Sequence, residues 1–255
     1  MNRQGDFIWY ELLTRDIDAA AAFYGEAIGW QVQDSGMPGM DYRLFVAPDG
    51  AMVGGLMAMP DGMPPPTWLG YVAVDDVDAT AADYVAAGGT QHMPPTTLPG
   101  VGRMAMLTDP QHAALYIMRS ESTETSTVFQ PADRATPGHF VWNQLMAADP
   151  DAAIAFYRDR FGWRQEGSMP MGAFGDYKFL QSGDLGIGAA MGMVPGGRPG
   201  WQYFIHVADI DAAAARIAAR GGEVLQGPDP IPGGSFSVVA SDPMGARFGL
   251  VGARP

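Results

Sequence analysis

Two ionisable side chains, Glu11 and His206, are candidates for acid–base chemistry. Glu11 follows Trp9 by two residues in an alternating segment, so both lie on one face of a predicted strand. A carboxylate in apolar surroundings is partly desolvated and could act as a general base. His206 is the best placed of the four histidines, because it shares a strand face with Gln202 and Phe204. The alternatives are a solvated glutamate at the rim of a site and a histidine that is hydrogen-bonded for structural reasons.

Aromatic and amide side chains form a second group of candidates. They are Trp9, Tyr42, Trp142 and Gln144. The aromatic rings could stack on a planar ligand, and the amide could orient it by hydrogen bonds. Arg103, at the start of a strand, could hold an anionic group, although a surface arginine is the simpler interpretation. Core packing is the alternative for the aromatic residues, since tryptophan is commonly buried. It is the favoured interpretation for the aromatic candidates other than Trp9 and Trp142, which are Tyr42, Trp68, Tyr71, Tyr177 and Trp201.

The chain contains one unit twice. The segment Trp9–Trp30 recurs as Trp142–Trp163 without a gap, and a self-match at fixed spacing indicates an internal repeat. In each copy an alternating strand precedes an aspartate, Asp16 or Asp149, that is suited to cap a helix N-terminus. An alanine-rich helix follows, and a Gly-Trp pair ends it. A second strand and helix then lead to short strands and an Asp-Pro turn, so each half predicts two βαβββ motifs.

The repeat predicts two domains of similar build. Their expected bounds are residues 1–120 and 137–255, and the polar segment 121–136 between them lacks periodicity and is predicted as a linker. A further break, linker-like in composition, covers residues 59–66. Function is expected where the copies differ or meet.

Composition excludes several classes of function. The net charge of −13 and the absence of a basic run exclude nucleic acid as an expected partner. The absence of cysteine excludes disulfides and thiol catalysis. The N-terminal sequence lacks the apolar core of a signal peptide, and no apolar run is long enough for a bilayer. We therefore expect a cytoplasmic protein, monomeric or homodimeric, with a small-molecule ligand and no membrane partner.

The motifs resemble one known family. The signatures are D16-I-D-A-A-A-A-F-Y24, D149-P-D-A-A-I-A-F-Y157, V74-D-D-V-D78 and D242-P-M-G245. With four βαβββ motifs they are similar to the vicinal oxygen chelate superfamily, which holds glyoxalases, bleomycin-resistance proteins and extradiol dioxygenases. The nearest likeness is to bacterial two-domain glyoxalase-like proteins, a group that resembles a secreted mycobacterial antigen. The resemblance implies an α+β fold of two domains with pseudo-twofold symmetry and concave mixed sheets. Fold alone does not establish the activity.

The resemblance also implies where metal ligands belong, and this sequence departs from that pattern. In the family, His and Glu occupy four strand positions of each domain. None of the residues found there is a good ligand for a divalent metal, so we expect neither a metal nor another cofactor. At these positions stand Trp9, the pair Gly54-Gly55, Leu69 and Tyr116 in the first domain, and Trp142, the pair Gly188-Ala189, Gln202 and Gly249 in the second.

The resulting hypothesis is a ligand-binding protein with an aromatic cleft and no family metal. Its expected contacts are Trp9, Tyr42, Leu69, Arg103, Tyr116, Trp142, Gln144, Gln202 and Phe204. The alternative is a glyoxalase-like lyase or isomerase, or an extradiol-type dioxygenase, acting on a small carbonyl or catechol substrate; without a metal, Glu11 or His206 would serve as the base. We expect the first motif to share a sheet with the fourth, and the second with the third, which would bring Glu11 and His206 to one cleft. Sequential pairing of the motifs is the alternative.

Overall fold

A computed structural model describes residues 2–59, 62 and 65–255. Half of the break predicted at residues 59–66, namely residues 60, 61, 63 and 64, therefore lies outside the described residues. In the described part of the chain, sixteen strands and four α-helices follow one another as four βαβββ motifs. The first motif comprises β1 (Phe7–Thr14), α1 (Ile17–Ile28), β2 (Gln31–Asp34), β3 (Tyr42–Val46) and β4 (Met52–Ala58). The second comprises β5 (Thr67–Ala73), α2 (Val77–Ala86), β6 (Thr90–Leu98), β7 (Gly102–Thr108) and β8 (Ala114–Ser120).

The second half repeats this order. The third motif comprises β9 (Phe140–Met146), α3 (Pro150–Phe161), β10 (Arg164–Pro170), β11 (Asp176–Ser182) and β12 (Leu185–Met191). The fourth comprises β13 (Gly200–Val207), α4 (Ile210–Ala219), β14 (Glu223–Pro230), β15 (Phe236–Ser241) and β16 (Arg247–Gly252). Among the described residues, no helix is both long and apolar enough to cross a bilayer.

The predicted helix ends are confirmed. Asp16 accepts a hydrogen bond from the Ala19 amide at 2.9 Å, and Asp149 accepts one from Ala152 at 3.0 Å. These carboxylates satisfy amides that a helix N-terminus otherwise leaves unpaired. Gly29 closes α1 with φ 91°, a left-handed conformation that glycine adopts without a steric penalty.

The strands of the described residues form two eight-stranded mixed sheets. The first has the order β2-β3-β4-β1-β5-β8-β7-β6, and the second has the order β10-β11-β12-β9-β13-β16-β15-β14. The prediction that the first motif shares a sheet with the fourth is therefore wrong. Only residues 59–66 separate β4 from β5, and consecutive elements joined by a short connection are usually neighbours.

By packing, the described chain divides into two compact units that do not follow the order of the sequence. Unit 1 comprises Met1–Ile8, Gly70–Ser126 and Trp142–Gln202. Unit 2 comprises Trp9–Leu69, Thr127–Val141 and Tyr203–Pro255. Each unit thus combines a motif from the first half with a motif from the second.

Unit 2 has an aromatic core. The Tyr24 ring of α1 packs edge-on to Trp68 at 5.4 Å and to Phe248 at 5.3 Å. Trp68 donates its indole N–H to the Tyr24 hydroxyl, which in turn lies 3.3 Å from the Asp242 carboxylate. Trp30 donates to the Gly138 carbonyl at 2.9 Å. The bond between Tyr24 and Asp242 connects α1 with the Asp-Pro turn of the fourth motif.

Unit 1 repeats this arrangement with the other two motifs. Trp201 donates to the Tyr157 hydroxyl at 3.1 Å, and that hydroxyl donates to Asp109 at 2.9 Å. Trp163 donates to the Gly5 carbonyl at 2.8 Å, as Trp30 does to its glycine in unit 2. The equivalent residues of the two copies therefore make equivalent contacts.

The segment predicted as a linker is packed over part of its length. Val128 is 3% exposed, and Phe129 forms a parallel β-bridge with Phe140. The Thr127 carbonyl lies 2.8 Å from a ring nitrogen of His139. Residues 127–136 therefore belong to the packed structure of unit 2.

Candidate ligand-binding faces

The residues predicted at the first cleft lie on one face of the strands of unit 2. Arg43 of β3 pairs with Asp18 of α1, so its neighbour Tyr42 lies on the face away from the helix. Trp68 of β5 donates to Tyr24 of α1, so Leu69 also faces away from α1. We call the surface formed by Trp9, Glu11, Tyr42 and Leu69 the Trp9 face.

A tryptophan–tyrosine pair organises the Trp9 face. The indole N–H of Trp9 donates to the Tyr42 hydroxyl at 2.9 Å. A Cβ atom built on Gly55 would overlap that hydroxyl, so the absence of a side chain at Gly55 makes room for the phenol. Both aromatic side chains remain partly exposed and can offer their surfaces to a ligand.

Glu11 is at the floor of this face. It is 3% exposed and lies opposite Gly55 in the parallel pairing of β1 with β4. The interpretation as a solvated rim residue is therefore wrong. A carboxylate removed from solvent to this degree is suited to accept a hydrogen bond from a ligand or to accept a proton from it.

The second copy builds an equivalent surface within unit 1. Lys178 of β11 pairs with Asp151 of α3, so Tyr177 lies on the face away from the helix. Trp201 of β13 donates to Tyr157 of α3, so Gln202 likewise faces away from α3. We call the surface formed by Trp142, Gln144, Tyr177 and Gln202 the Trp142 face.

A directed chain of hydrogen bonds crosses the Trp142 face. The indole N–H of Trp142 donates to the Tyr177 hydroxyl at 2.7 Å, and that hydroxyl lies 3.1 Å from Gln144 Oε1. Because an indole nitrogen can only donate, Tyr177 must use its own proton toward Gln144. Burial raises the pKa of Tyr177 and outweighs the opposing effect of the bond from Trp142, so the phenol stays protonated and can donate.

Gln202 carries a buried donor on this face. Its side chain is 5% exposed, and Nε2 has no hydrogen-bond partner among the described residues. An unpaired buried donor costs about 1–3 kcal/mol, so such groups are uncommon in folded proteins. Leu69 is the equivalent residue of the Trp9 face and has no polar atom in its side chain.

Several predicted contacts have other surroundings. The guanidinium of Arg103 binds both carboxylate oxygens of Asp78 at 2.6 Å, so its charge is already compensated. Tyr116 stacks on Tyr71 with ring centroids 4.3 Å apart and an interplanar angle of 9°. The Phe204 ring covers Gly249, where an added Cβ would overlap it.

Two tryptophans considered as ligand contacts are held by tyrosines of the helices, Trp68 in the core of unit 2 and Trp201 half-buried in unit 1. Trp68 is 3% exposed and is held by Tyr24, which confirms core packing. Trp201 packs against Trp163 with ring centroids 5.7 Å apart and is held by Tyr157.

His206 lies on β13 in the second sheet, whereas Glu11 lies on β1 in the first. The prediction that a shared sheet brings them to one cleft is therefore wrong. Burial lowers the pKa of His206, and its Nδ1 has no hydrogen-bond partner within the described residues. Its backbone carbonyl accepts a hydrogen bond from the Gly138 amide, and its backbone amide donates to the His139 carbonyl. These two bonds hold the backbone of His206 to the segment that leads into β9.

A different buried histidine, His139, was not predicted as functional. Its ring nitrogens lie 2.8 Å from the Thr127 carbonyl and 2.9 Å from the Asp49 carboxylate. Both neighbours are acceptors, so an oxygen from a remote part of the chain faces each ring nitrogen. Its position three residues before Trp142 was visible in the sequence, but its partners are remote and could not be identified there.

A groove lies elsewhere, in unit 1. It has a volume of about 540 Å³ and runs along α3 beside the turn between β7 and β8. Alanines form much of its wall, and Gln111 at its edge hydrogen-bonds both the backbone N–H and the carbonyl of Asp149. This groove lies on the helix side of the sheet, away from Trp142.

The residues at the metal positions implied by the resemblance do not fit a divalent ion. Trp9 offers only a donor, the Tyr42 hydroxyl covers Gly55, and Leu69 has no lone pair. In the described residues, no three His, Cys, Asp or Glu side chains converge. A metal site of the family kind needs three or four such ligands around one ion.

Comparisons with known proteins agree with the fold. The family described as Glyoxalase/Bleomycin resistance protein/Dioxygenase superfamily matches residues 7–116 and 136–250. The CFP32 protein of Mycobacterium bovis, which is provisionally named a glyoxylase, is 36% identical over 258 residues, covering 99% of this chain and 97% of the relative. The anthracycline biosynthesis protein DauV of Streptomyces sp. strain C5 is 29% identical over 266 residues, covering 96% and 92%.

Solved structures support the same conclusion about the fold. The Mn(II)-bound glyoxalase from Novosphingobium aromaticivorans has a TM-score of 0.69 at 18% identity, covering 100% of this chain and 84% of that one. The 2,3-dioxygenase LapB from Pseudomonas sp. KL28 has a TM-score of 0.65 at 13% identity, covering 99% and 92%. With the α+β architecture and the repeated motifs, these matches confirm the resemblance: the chain belongs to the glyoxalase, bleomycin-resistance and dioxygenase superfamily and contains two glyoxalase-like domains.

Proposed function

We propose that this protein binds a small planar organic ligand on the Trp9 and Trp142 faces, without the metal on which glyoxalases and dioxygenases of the superfamily rely. The observation that carries the proposal is the pair of hydrogen-bonded aromatic side chains on each face, Trp9 with Tyr42 and Trp142 with Tyr177. Fixed and partly exposed aromatic surfaces are suited to stacking, since little conformational entropy is lost when a ligand binds.

The relatives are compatible with a planar ligand. DauV is named for anthracycline biosynthesis, and LapB is named a 2,3-dioxygenase. Planar aromatic compounds are accordingly the first ligands to test. A cytoplasmic location, with neither nucleic acid nor membrane as partner, remains part of the proposal.

Isothermal titration calorimetry in the presence of EDTA tests this function. The probes are the planar anthraquinone-2-sulfonate and 2-acetylnaphthalene, with cyclohexyl methyl ketone as a non-planar control. We expect binding of the planar probes only. Trp9→Leu and Trp142→Leu should each weaken binding at one face about tenfold, because an aromatic contact contributes roughly 1–1.5 kcal/mol.

The matched control is Met52→Leu, which changes a side chain that is 55% exposed on β4. It should leave both affinities unchanged. Equal binding of the planar probes and the cyclohexyl control, or full binding by a Trp9→Leu/Trp142→Leu double variant, would contradict the proposal.

A second candidate function is metal-independent proton transfer by Glu11. The burial of its carboxylate on the Trp9 face favours this possibility, because a desolvated carboxylate is a stronger base. The substrate would be a small carbonyl compound with an acidic neighbouring C–H. Turnover of such compounds that survives EDTA and disappears in Glu11→Gln would support an enzyme, whereas stoichiometric binding without turnover would support a binding protein.

A further inference from the structure

The buried amide of Gln202 is the part of the Trp142 face that stacking does not explain. Its side chain is 5% exposed, and its Nε2 has no hydrogen-bond partner in the described part of the chain. Buried polar groups are nearly always paired, so an unpaired donor at a ligand-binding surface points to a partner supplied by the ligand.

The direction of this side chain follows from its neighbours. Trp201 is held by Tyr157 on the helix side of the sheet, and successive side chains of a strand alternate between faces. Gln202 therefore faces the opposite side. Its strand, β13, is next to β9, which carries Trp142 and Gln144.

Gln144 provides a second donor by a separate argument. Its Oε1 accepts from Tyr177, whose hydroxyl accepts from Trp142. Because the indole cannot reverse its bond, Gln144 must direct its NH2 group away from Tyr177. The Trp142 face therefore carries the amide donors of two glutamines beside an aromatic pair.

The Trp9 face has the opposite character. Leu69 replaces Gln202, and Glu11 replaces Gln144, so an aliphatic group and a carboxylate stand where the second copy has amides. A carboxylate only accepts hydrogen bonds, and it repels the partial negative charge of a carbonyl oxygen. The two faces share their aromatic platform and differ in hydrogen-bond polarity.

We infer that the Trp142 face selects planar ligands that carry a carbonyl oxygen, such as aryl ketones and quinones, which accept a hydrogen bond from Gln202 Nε2. Gln202 is the specificity-determining residue, and Gln144 provides a further donor on the same face. This inference rests on the proposed function and names the ligand class of one of its two sites.

Paired ligands test the inference. 2-Acetylnaphthalene and 2-isopropenylnaphthalene have the same shape, but the second replaces the carbonyl oxygen with a CH2 group. Because each substitution weakens one face about tenfold, calorimetry with Trp9→Leu reports mainly on the Trp142 face, and calorimetry with Trp142→Leu reports mainly on the Trp9 face. In Trp9→Leu we expect the ketone to bind about three- to tenfold more tightly than the isostere, the ratio that one net hydrogen bond provides.

Two substitutions at Gln202 identify the donor. Gln202→Leu introduces the residue of the first copy, and Gln202→Met keeps the length of the side chain but has no hydrogen-bond donor. In the Trp9→Leu background, both should abolish the preference for the ketone while the affinity for the isostere stays within about twofold. Thermal unfolding checks that each variant is folded.

The results distinguish a failure of the inference about Gln202 from a failure of the proposed function. Equal binding of ketone and isostere in Trp9→Leu, or a preference that survives Gln202→Leu, would overturn the role of Gln202 and leave the planar-ligand function standing. A preference of the same size in Trp142→Leu would also overturn it, because the Trp9 face, which lacks Gln202, is the stronger site in that variant. Absence of binding by both probes in both backgrounds would instead refute the proposed function.

Discussion

At the scale of single residues, the two copies differ in how tyrosine reaches the open face. In unit 2 the Tyr42 hydroxyl lies over Gly55, which has no side chain to obstruct it. In unit 1 the residue aligned with Gln144 in the strand pairing is Ala189, and the Tyr177 hydroxyl binds Gln144 instead. The methyl group of Ala189, where unit 2 has Gly55, therefore distinguishes two otherwise equivalent aromatic pairs.

Gly55→Ala tests this packing. We expect a loss of about 0.5–1.5 kcal/mol in the free energy of unfolding, because the new methyl group overlaps the Tyr42 hydroxyl and breaks its hydrogen bond with Trp9. Urea unfolding measures the change. Gly186→Ala is the matched control, since a Cβ there meets no atom within 4 Å. In a Tyr42→Ala background the Gly55→Ala penalty should largely vanish, and a penalty of the same size would contradict the overlap.

The pair of Asp49 and His139 predicts a pH dependence in unit 2. Burial raises the pKa of Asp49, but hydrogen bonds from Ala51 and His139 and the charge of the histidine together hold it below the ordinary value. A carboxyl with a lowered pKa stabilises the folded state above its unfolded value, about 3.9, and this contribution is lost as the pH falls through the folded pKa.

Asp49→Asn should therefore lower the stability at pH 7 and have progressively less effect below about pH 4. Urea unfolding of the wild type and the variant over this range measures the difference. A constant difference between the two proteins from pH 7 to pH 3 would show that the carboxylate charge is not involved.

At the scale of elements, a Trp–Tyr–Asp chain connects a helix with an Asp-Pro turn in each unit. Burial raises the pKa of Asp109 and of Asp242, and backbone amides of each turn act in the opposite direction. The tyrosine hydroxyls compensate part of this burial by hydrogen bonding to the carboxylates. The chains thus hold the helices of unit 1 and unit 2 to hairpins that are distant in sequence.

Tyr157→Phe and Tyr24→Phe measure these contacts. Each should reduce the free energy of unfolding by about 1–2 kcal/mol, because the carboxylate loses a donor in a buried site. Tyr157→Phe should cost more, since its bond to Asp109 is 2.9 Å against 3.3 Å for Tyr24 and Asp242. Phe174→Leu, at a position that is 40% exposed, is the control for chemical denaturation. Neutral effects of both tyrosine substitutions would contradict a stabilising role.

At the scale of the whole molecule, the compact units combine motifs from both halves of the sequence. Unit 2 places the first motif with the fourth, and unit 1 places the second with the third. The domain bounds expected from the repeat, residues 1–120 and 137–255, cut through both units. A glyoxalase-like domain defined by its sequence is therefore distinct from a unit defined by its packing.

This division predicts that residues 1–126 do not fold alone. Such a fragment would lack Asp242 and Gly138, which bind Tyr24 and Trp30 in unit 2. We expect an aggregated or unfolded fragment by circular dichroism and gel filtration. Co-expression with residues 127–255 should restore a folded complex that binds the planar probes. A stable monomeric fragment 1–126 with native-like near-ultraviolet signals would contradict the prediction.

The sequence by itself determined the local structure and the family. Fixed spacing revealed the repeat, and capping aspartates and terminal glycines located the helices, because these features depend on neighbouring residues alone. Alternation placed Trp9 with Glu11 and Gln202 with Phe204 on common faces. The sequence also shows that the residues at the metal positions are poor ligands, since tryptophan, leucine and glycine lack suitable lone pairs.

Only the tertiary structure decided which motifs share a sheet and which share a core. All four motifs have similar apolar strands and open edges, so their patterns fit more than one partner. The sheets join successive motifs, while the buried Tyr24 and Tyr157 reach carboxylates in the other half of the chain. No local pattern specifies such distant contacts. They place Glu11 and His206 in different sheets and join Trp142 to Tyr177 by a hydrogen bond. They also leave the Gln202 amide without a partner for Nε2 among the described residues.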